Sequence, residues 1–138
     1  MNYLAFEPLL IEHLKALPFK AVLSSEQLSV LEEKCQPVPA AHVIYLGDRV
    51  DETAQAGLYS RVKQHWMVTV TVRYVSTSNA RQQAGELMGA VLTHLQGWKP
   101  PAELGCVKRV NANTMPLYKN GYAYFPLVFE TSLKVEGN

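Results

Sequence analysis

HWMVTVTVRYV, residues 65–75, decides how the rest of the chain is read. Trp66, Val68, Val70, Val72 and Tyr74 alternate with Met67, Thr69, Thr71, Arg73 and Val75. A strand turns successive side chains to opposite faces, and β-branched and aromatic residues suit a packed, pleated surface. The first row is apolar enough to face a core. The second is not the plain polar row of a strand that is wet on one side, because it mixes two threonines and an arginine with apolar residues. Something covers part of that second face, either another segment of the chain or another molecule.

Upstream, AAHVIYL at 40–46 is a nearly unbroken apolar run of strand length, as expected of a strand covered on both faces. The following polar stretch, about 47–63, loses clear periodicity and reads as a long loop, of the kind that is functional or mobile. Downstream, Ala80, Ala84, Leu87, Met88, Val91, Leu92 and Leu95 fall on one helical face, and Gly97 stands where a left-handed C-terminal residue is wanted. Gly85 and Gly89 share a side of that helix, which predicts a close approach to a sheet or neighbour. A strand is expected at 106–110, and Asn120-Gly121 signals a hairpin turn into a last strand. That strand puts Phe125, Leu127, Phe129, Leu133 and Val135 on one face. Pro126 cannot donate to a ladder, so an edge position or bulge is expected there.

At the N-terminal end, Pro8 opens a helix whose Leu10, Leu14 and Leu17 share a face, with Pro18 as its stop. A short strand over 19–23 follows. Ser24 and Gln27 have the spacing of a capping box, and Leu28, Leu31 and Cys35 continue a second helix up to Pro37. The order α–β–α–β–β–α–β–β–β predicts one α+β domain over 1–138. Its sheet is mostly antiparallel but mixed, with about three helices packed mainly on one face.

A chain of 138 residues can bury a real core, and 48% hydrophobic with 18% charged residues is a globular balance. A formal charge of +1 gives no overall field to draw nucleic acid or an anionic membrane, so neither is an expected partner. The N-terminal residues lack a secretory signal, no apolar run is long enough for a bilayer, and two cysteines suit a reducing compartment. A soluble, cytoplasmic protein is expected.

Chemistry has little to stand on. His13, His42, His65 and His94 show no helical-pair or metal-finger spacing, and Cys35 with Cys106 completes no zinc pattern, so both thiols are expected to be buried and structural. Asp48, Asp51 and Glu52 lack the further oxygen ligands of a calcium loop. No nucleophile elbow, phosphate loop or dinucleotide fingerprint occurs. Neither an enzyme nor a cofactor or metal site is expected. Tyr118, Tyr122 and Tyr124 gather about the Asn-Gly turn, where cross-strand packing and an interface would both favour aromatics.

Three segments carry a family likeness. VIYLGDR (43–49) precedes the stretch that leads into VKQHWMVTVTVRYV (62–75); ARQQAGELMGAVLTHLQGWKP (80–100) follows with its Gly-Trp-x-Pro exit; MPLYKNGYAYFPLVFETSL (115–133) comes last. In this order, over about 5–135, they resemble the tail terminator proteins of tailed bacteriophages and prophages. The likeness is greatest to the Mu-like branch related to the minor tail protein U family.

The resemblance implies a small subunit that assembles as a hexameric ring on the head-proximal end of the tail. Such a ring stops tube polymerisation and helps join the head. It implies three partners: further copies of the chain, the tail tube protein and a head–tail connector protein. It also implies residence in the bacterial cytoplasm and then in the virion tail, and it brings no catalytic residues. The segment 47–62 becomes a candidate for contacts in the ring or to the tube, and Arg49, Arg61, Lys63, Thr69, Thr71 and Arg73 are candidate contact residues. The alternative is a small ligand-binding α+β domain with 47–64 as a lid. An enzyme assembled from Asp48, Asp51 and His65 is a third and weaker reading.

Overall fold

The apolar stripe of the long helix explains where the core lies. In the computed structural model, which describes residues 1–28, 36–75 and 79–138, this helix (α3, Ala80–Leu95) buries Ala80, Ala84, Leu87, Val91 and Leu95. Met88 and Leu92 lie half-buried at the margin of the same stripe. Gly97 (φ 80) ends it in the left-handed conformation the sequence anticipates. The other two helices are α1 (Phe6–Leu14) and the short α2 (Ser25–Leu28). Six strands follow the expected order: β1 (Ala21–Ser24), β2 (Ala40–Ala54), β3 (Tyr59–Arg73), β4 (Lys108–Val110), β5 (Leu117–Lys119) and β6 (Tyr122–Glu136).

They form one mixed sheet in the order β1-β2-β3-β6-β4, with β5 also paired to β6. Among the described residues only β1–β2 is parallel; the other pairings are antiparallel. The expected α+β class with a mostly antiparallel sheet is therefore what the chain adopts. The even-numbered row of β3 lies at its centre. Val68 stands between Val43 and Leu127, and Trp66 between Tyr45 and Phe129. Phe6, Leu10 and Leu14 of α1 and the α3 stripe close over this face, where Phe6 meets the Trp66 ring edge-on at 5.6 Å.

Local chemistry sets the connections. Ser24 and Gln27 make the reciprocal capping box: the Ser24 amide donates to Gln27 Oε1 at 2.9 Å, and the Gln27 amide to Ser24 Oγ at 3.3 Å. The expected continuation of that helix through Leu31 and Cys35 lies outside the described residues. Asn120 (φ 54) and Gly121 (φ 80) make the tight β5–β6 turn. Pro126 falls between the residues of β6 that pair with β5 and those that pair with β4. Its missing amide thus sits at a local gap in the outer edge.

Three expectations are corrected. The stretch 47–63 is not a loop: residues 47–54 and 59–64 are paired strand ends of β2 and β3, joined by a short turn at Gln55–Gly57. Register shifts between Tyr45 and Gly47 and between Val50 and Glu52 break the alternation that would have marked a strand. Gly85 and Gly89 face open space rather than a neighbouring element. Cys106 is exposed, not buried.

Candidate functional site

A 15-residue strand spans about 50 Å, while the 16-residue α3 spans only about 24 Å. The helices therefore cover one half of the sheet, and the far ends of β2, β3 and β6 extend beyond them as a three-stranded arm. Along β2 every residue from Asp48 to Ala54 is exposed. The root of the arm is fastened by a chain of polar contacts. Tyr3 donates its hydroxyl to Asp48, Gln64 Nε2 donates to the Tyr3 carbonyl at 2.6 Å, and Trp66 Nε1 donates to Gln64 Oε1 at 3.3 Å. Burial and the Asp48 carboxylate push the Tyr3 phenol up to about 12.

The face of the sheet away from α1 and α3 has two characters. Toward the arm it is charged: Lys63 Nζ lies 3.6 Å from Asp51 and 3.9 Å from Glu130, which also takes His65 Nε2 at 3.1 Å. Arg49 approaches Asp51 at 3.8 Å, and Arg61 reaches the Tyr59 hydroxyl at 3.5 Å. Toward the other end the face is apolar, with a groove of about 210 Å³ lined by Ile44, Met67, Met115, Leu117 and Pro126 over His42. Gln36 crosses this end, its amide donating to the Tyr122 hydroxyl at 3.1 Å and its side chain to the Tyr124 hydroxyl at 2.6 Å.

The candidate contact residues divide accordingly. Arg49, Arg61 and Arg73 are exposed, and Lys63 is half-buried within its ion pairs. Arg73 lies over the Tyr122 ring at 5.9 Å. Thr69 retains 7% of its surface and Thr71 none, so neither is presented on the subunit surface. Within one chain, then, the second face is covered at Thr69 and Thr71 and open along the arm.

Asp51 and His65 join one ion-pair network through Lys63 and Glu130, while Asp48 accepts from Tyr3 instead. No cluster of ligating side chains for a metal occurs among the described residues. The expected lid consists of two paired strands. A hollow of about 730 Å³ lies beside the arm, but it is lined by charges of both signs, including Arg61, Lys99, Lys134, Glu103 and Glu136.

One histidine pair was not visible in the sequence. His13, near the end of α1, stacks between Trp98 at 3.7 Å and His94 at 3.8 Å. His13 Nε2 lies 3.1 Å from the His94 carbonyl oxygen, and His94 Nε2 lies 2.8 Å from that of His13. Carbonyl oxygens only accept, so each Nε2 carries the hydrogen. Burial holds His13 below its ordinary value. This is a clasp between helix ends; the two residues stand 81 positions apart, and no local pattern links them.

The chain folds as a single α+β domain whose sheet extends past its helices and is exposed along β2 at 48–54. The chain matches the phage tail terminator protein family over residues 1–138, and it belongs to that family. It is thus a structural component of a phage tail that assembles with other phage structural proteins. Its fold is similar to that of a chain in the virion of a native gene transfer agent particle. The TM-score is 0.64 at 16% identity, with 99% of this chain and 100% of that chain covered. No curated protein matches. No helix among the described residues is long and apolar enough to cross a membrane.

Proposed function

We propose that the chain closes into a ring, a hexamer when assembled, on the head-proximal end of the tail tube. There it ends tube polymerisation and offers a surface for the head–tail connector. Its partners are further copies of itself, the tail tube protein and the connector protein. The subunit works in the host cytoplasm and is then carried in the virion. The observation that carries this reading, beside the family, is the arm: strands of β2, β3 and β6 that extend past the helices, exposed along β2 and charged on one face. The β2 strand of this bundle is a contact element, since its own subunit leaves 48–54 exposed while Val62, Gln64, Thr131 and Leu133 on the inner strands are buried.

Arg49, Arg61, Lys63 and Arg73 are the proposed contact residues; Thr69 and Thr71 leave the set because the subunit buries them. Closed cyclic assembly needs two different, complementary patches on each subunit. The test is electron microscopy of tails assembled from the cognate tube protein with and without this chain. Uniform tubes with altered ends are expected in its presence, and overlong tubes in its absence. Arg61→Glu and Arg73→Glu should reduce capping without changing the unfolding midpoint. Unchanged tube lengths and ends in the presence of the wild-type protein would refute the reading.

A further inference from the structure

The two edges of the sheet are left open in ways that fit each other. β1 pairs with β2 only at 40–43, so the outer edge of β2 over 44–54 has no strand partner among the described residues. At the opposite border β4 pairs inward with β6 alone. An unpaired edge is a row of amides and carbonyls ready for another strand. The charges differ in sign. The open part of β2 carries Asp48, Asp51 and Glu52 against Arg49, three negative to one positive, while β4 carries Lys108 and Arg109. Lys108 and Arg109 are exposed, and neither makes an ion pair among the described residues.

We infer that β2 of one subunit pairs with β4 of a second copy of this chain, so that the sheet continues from subunit to subunit. The inference rests on the ring reading above and specifies the two patches it requires. The open edge of β2 and that of β4 allow three pairings between copies of the chain. β2 against β2 sets acidic edges together, and β4 against β4 sets basic ones together; like charges across a ladder are unfavourable. Of these three, β2 against β4 brings opposite charges together, and that pairing is heterologous, as a ring demands. Strand direction agrees. β2, β3, β6 and β4 are successively antiparallel, so β4 runs opposite to β2, and a continued sheet forms an antiparallel ladder. Exposed Leu46 and Val50 supply apolar surface along the acceptor edge. The charges select the partner edge more than they add strength, and higher salt should weaken the selection.

Charge exchange and cross-linking test this on the whole chain, in concentrated solution and on tail tubes. Glu52→Lys alone and Arg109→Glu alone should each raise the concentration for half-assembly by about tenfold, a shift of about 1.4 kcal/mol. Mixed together or combined in one chain, the two changes should recover assembly. Separately, with Cys35 and Cys106 changed to Ser, one variant carries Leu46→Cys, Val50→Cys or Glu52→Cys and a second carries Lys108→Cys. Disulfides should form between the two variants when mixed and not within either alone. Rings or capped tubes that show no such cross-link and no response to charge reversal overturn the edge pairing and leave the capping role standing. Tubes whose lengths ignore the wild-type protein overturn both.

Discussion

His42 makes the stability of the subunit depend on pH in a window that can be stated beforehand. Its ring is 4% exposed beneath the apolar groove, and its Nε2 has no hydrogen-bond partner among the described residues. Burial pushes its pKa down to about 4, from an ordinary value of 6.5. The folded state therefore disfavours the charged ring. Above about pH 6.5 the ring is neutral whether the chain is folded or not, and nothing is lost. As pH falls from there through about 4, the unfolded chain takes up a proton that the folded one resists, and stability declines. A gap of about 2.5 pH units at about 1.4 kcal/mol each gives about 3.5 kcal/mol in full, about 3 of it by pH 4, a large share of the ~5–15 kcal/mol that holds a typical domain together. The perturbation is His42→Leu, which removes both the titration and the unpartnered nitrogen at similar volume. The assay is urea unfolding of both proteins at intervals between pH 7.5 and 4. The variant should equal or exceed the wild type at pH 7.5, and its advantage should widen by about 3 kcal/mol at pH 4. His13, also depressed, titrates in both proteins and cancels in the difference. Parallel pH profiles would refute the reasoning.

Leu87→Ala should cost about 2–5 kcal/mol in urea unfolding, because Leu87 is 5% exposed against the sheet, while exposed Arg81→Ala should cost almost nothing; equal losses would show the wrong helical face. Gln64→Ala leaves the Trp66 indole N–H and the Tyr3 carbonyl without their partner, a loss of about 1–3 kcal/mol, and amide exchange at residues 2–5 should accelerate in the same variant. Ala56 holds φ 57 at the turn of the arm, where a Cβ is disfavoured, so Ala56→Gly should raise stability by up to about 1 kcal/mol in thermal unfolding; a drop would mean the side chain has a role there.

What the sequence made legible was whatever local chemistry encodes. Ser24 and Gln27 sit at capping spacing, Asn120-Gly121 has the φ values of a tight turn, and the α3 stripe repeats at helical period; each appears in the fold as read. The arm was hidden because a strand exposed on both faces has no apolar alternation to display, and two register shifts in β2 scramble what little there is. Thr69 and Thr71 looked like surface because their row mixes polar and apolar residues. They lie between strands distant in sequence, Thr69 beside His42 and Pro126 and Thr71 beside Ala40 and Tyr124, and no period along β3 reports that. The His13–His94 clasp is likewise a product of helix packing, and only the assembled domain brings the two rings together.

The mismatch between sheet and helix lengths separates two kinds of constraint along the same strands. In the covered half, each position on β3 answers to neighbours on β2, β6 and α3, and a change of one methylene is felt. In the arm, Asp48 and Asp51 hold Tyr3 and Lys63, but Val50, Glu52, Thr53 and Ala54 are exposed, and exposed substitutions of this sort cost about 0.5 kcal/mol or less. If the arm reads a partner as proposed, that choice can be rewritten at Val50, Glu52, Thr53 and Ala54 while the core stays as it is. On the proposed capping role, a tail that acquires a different tube or connector needs new letters at the end of a strand, not a new fold.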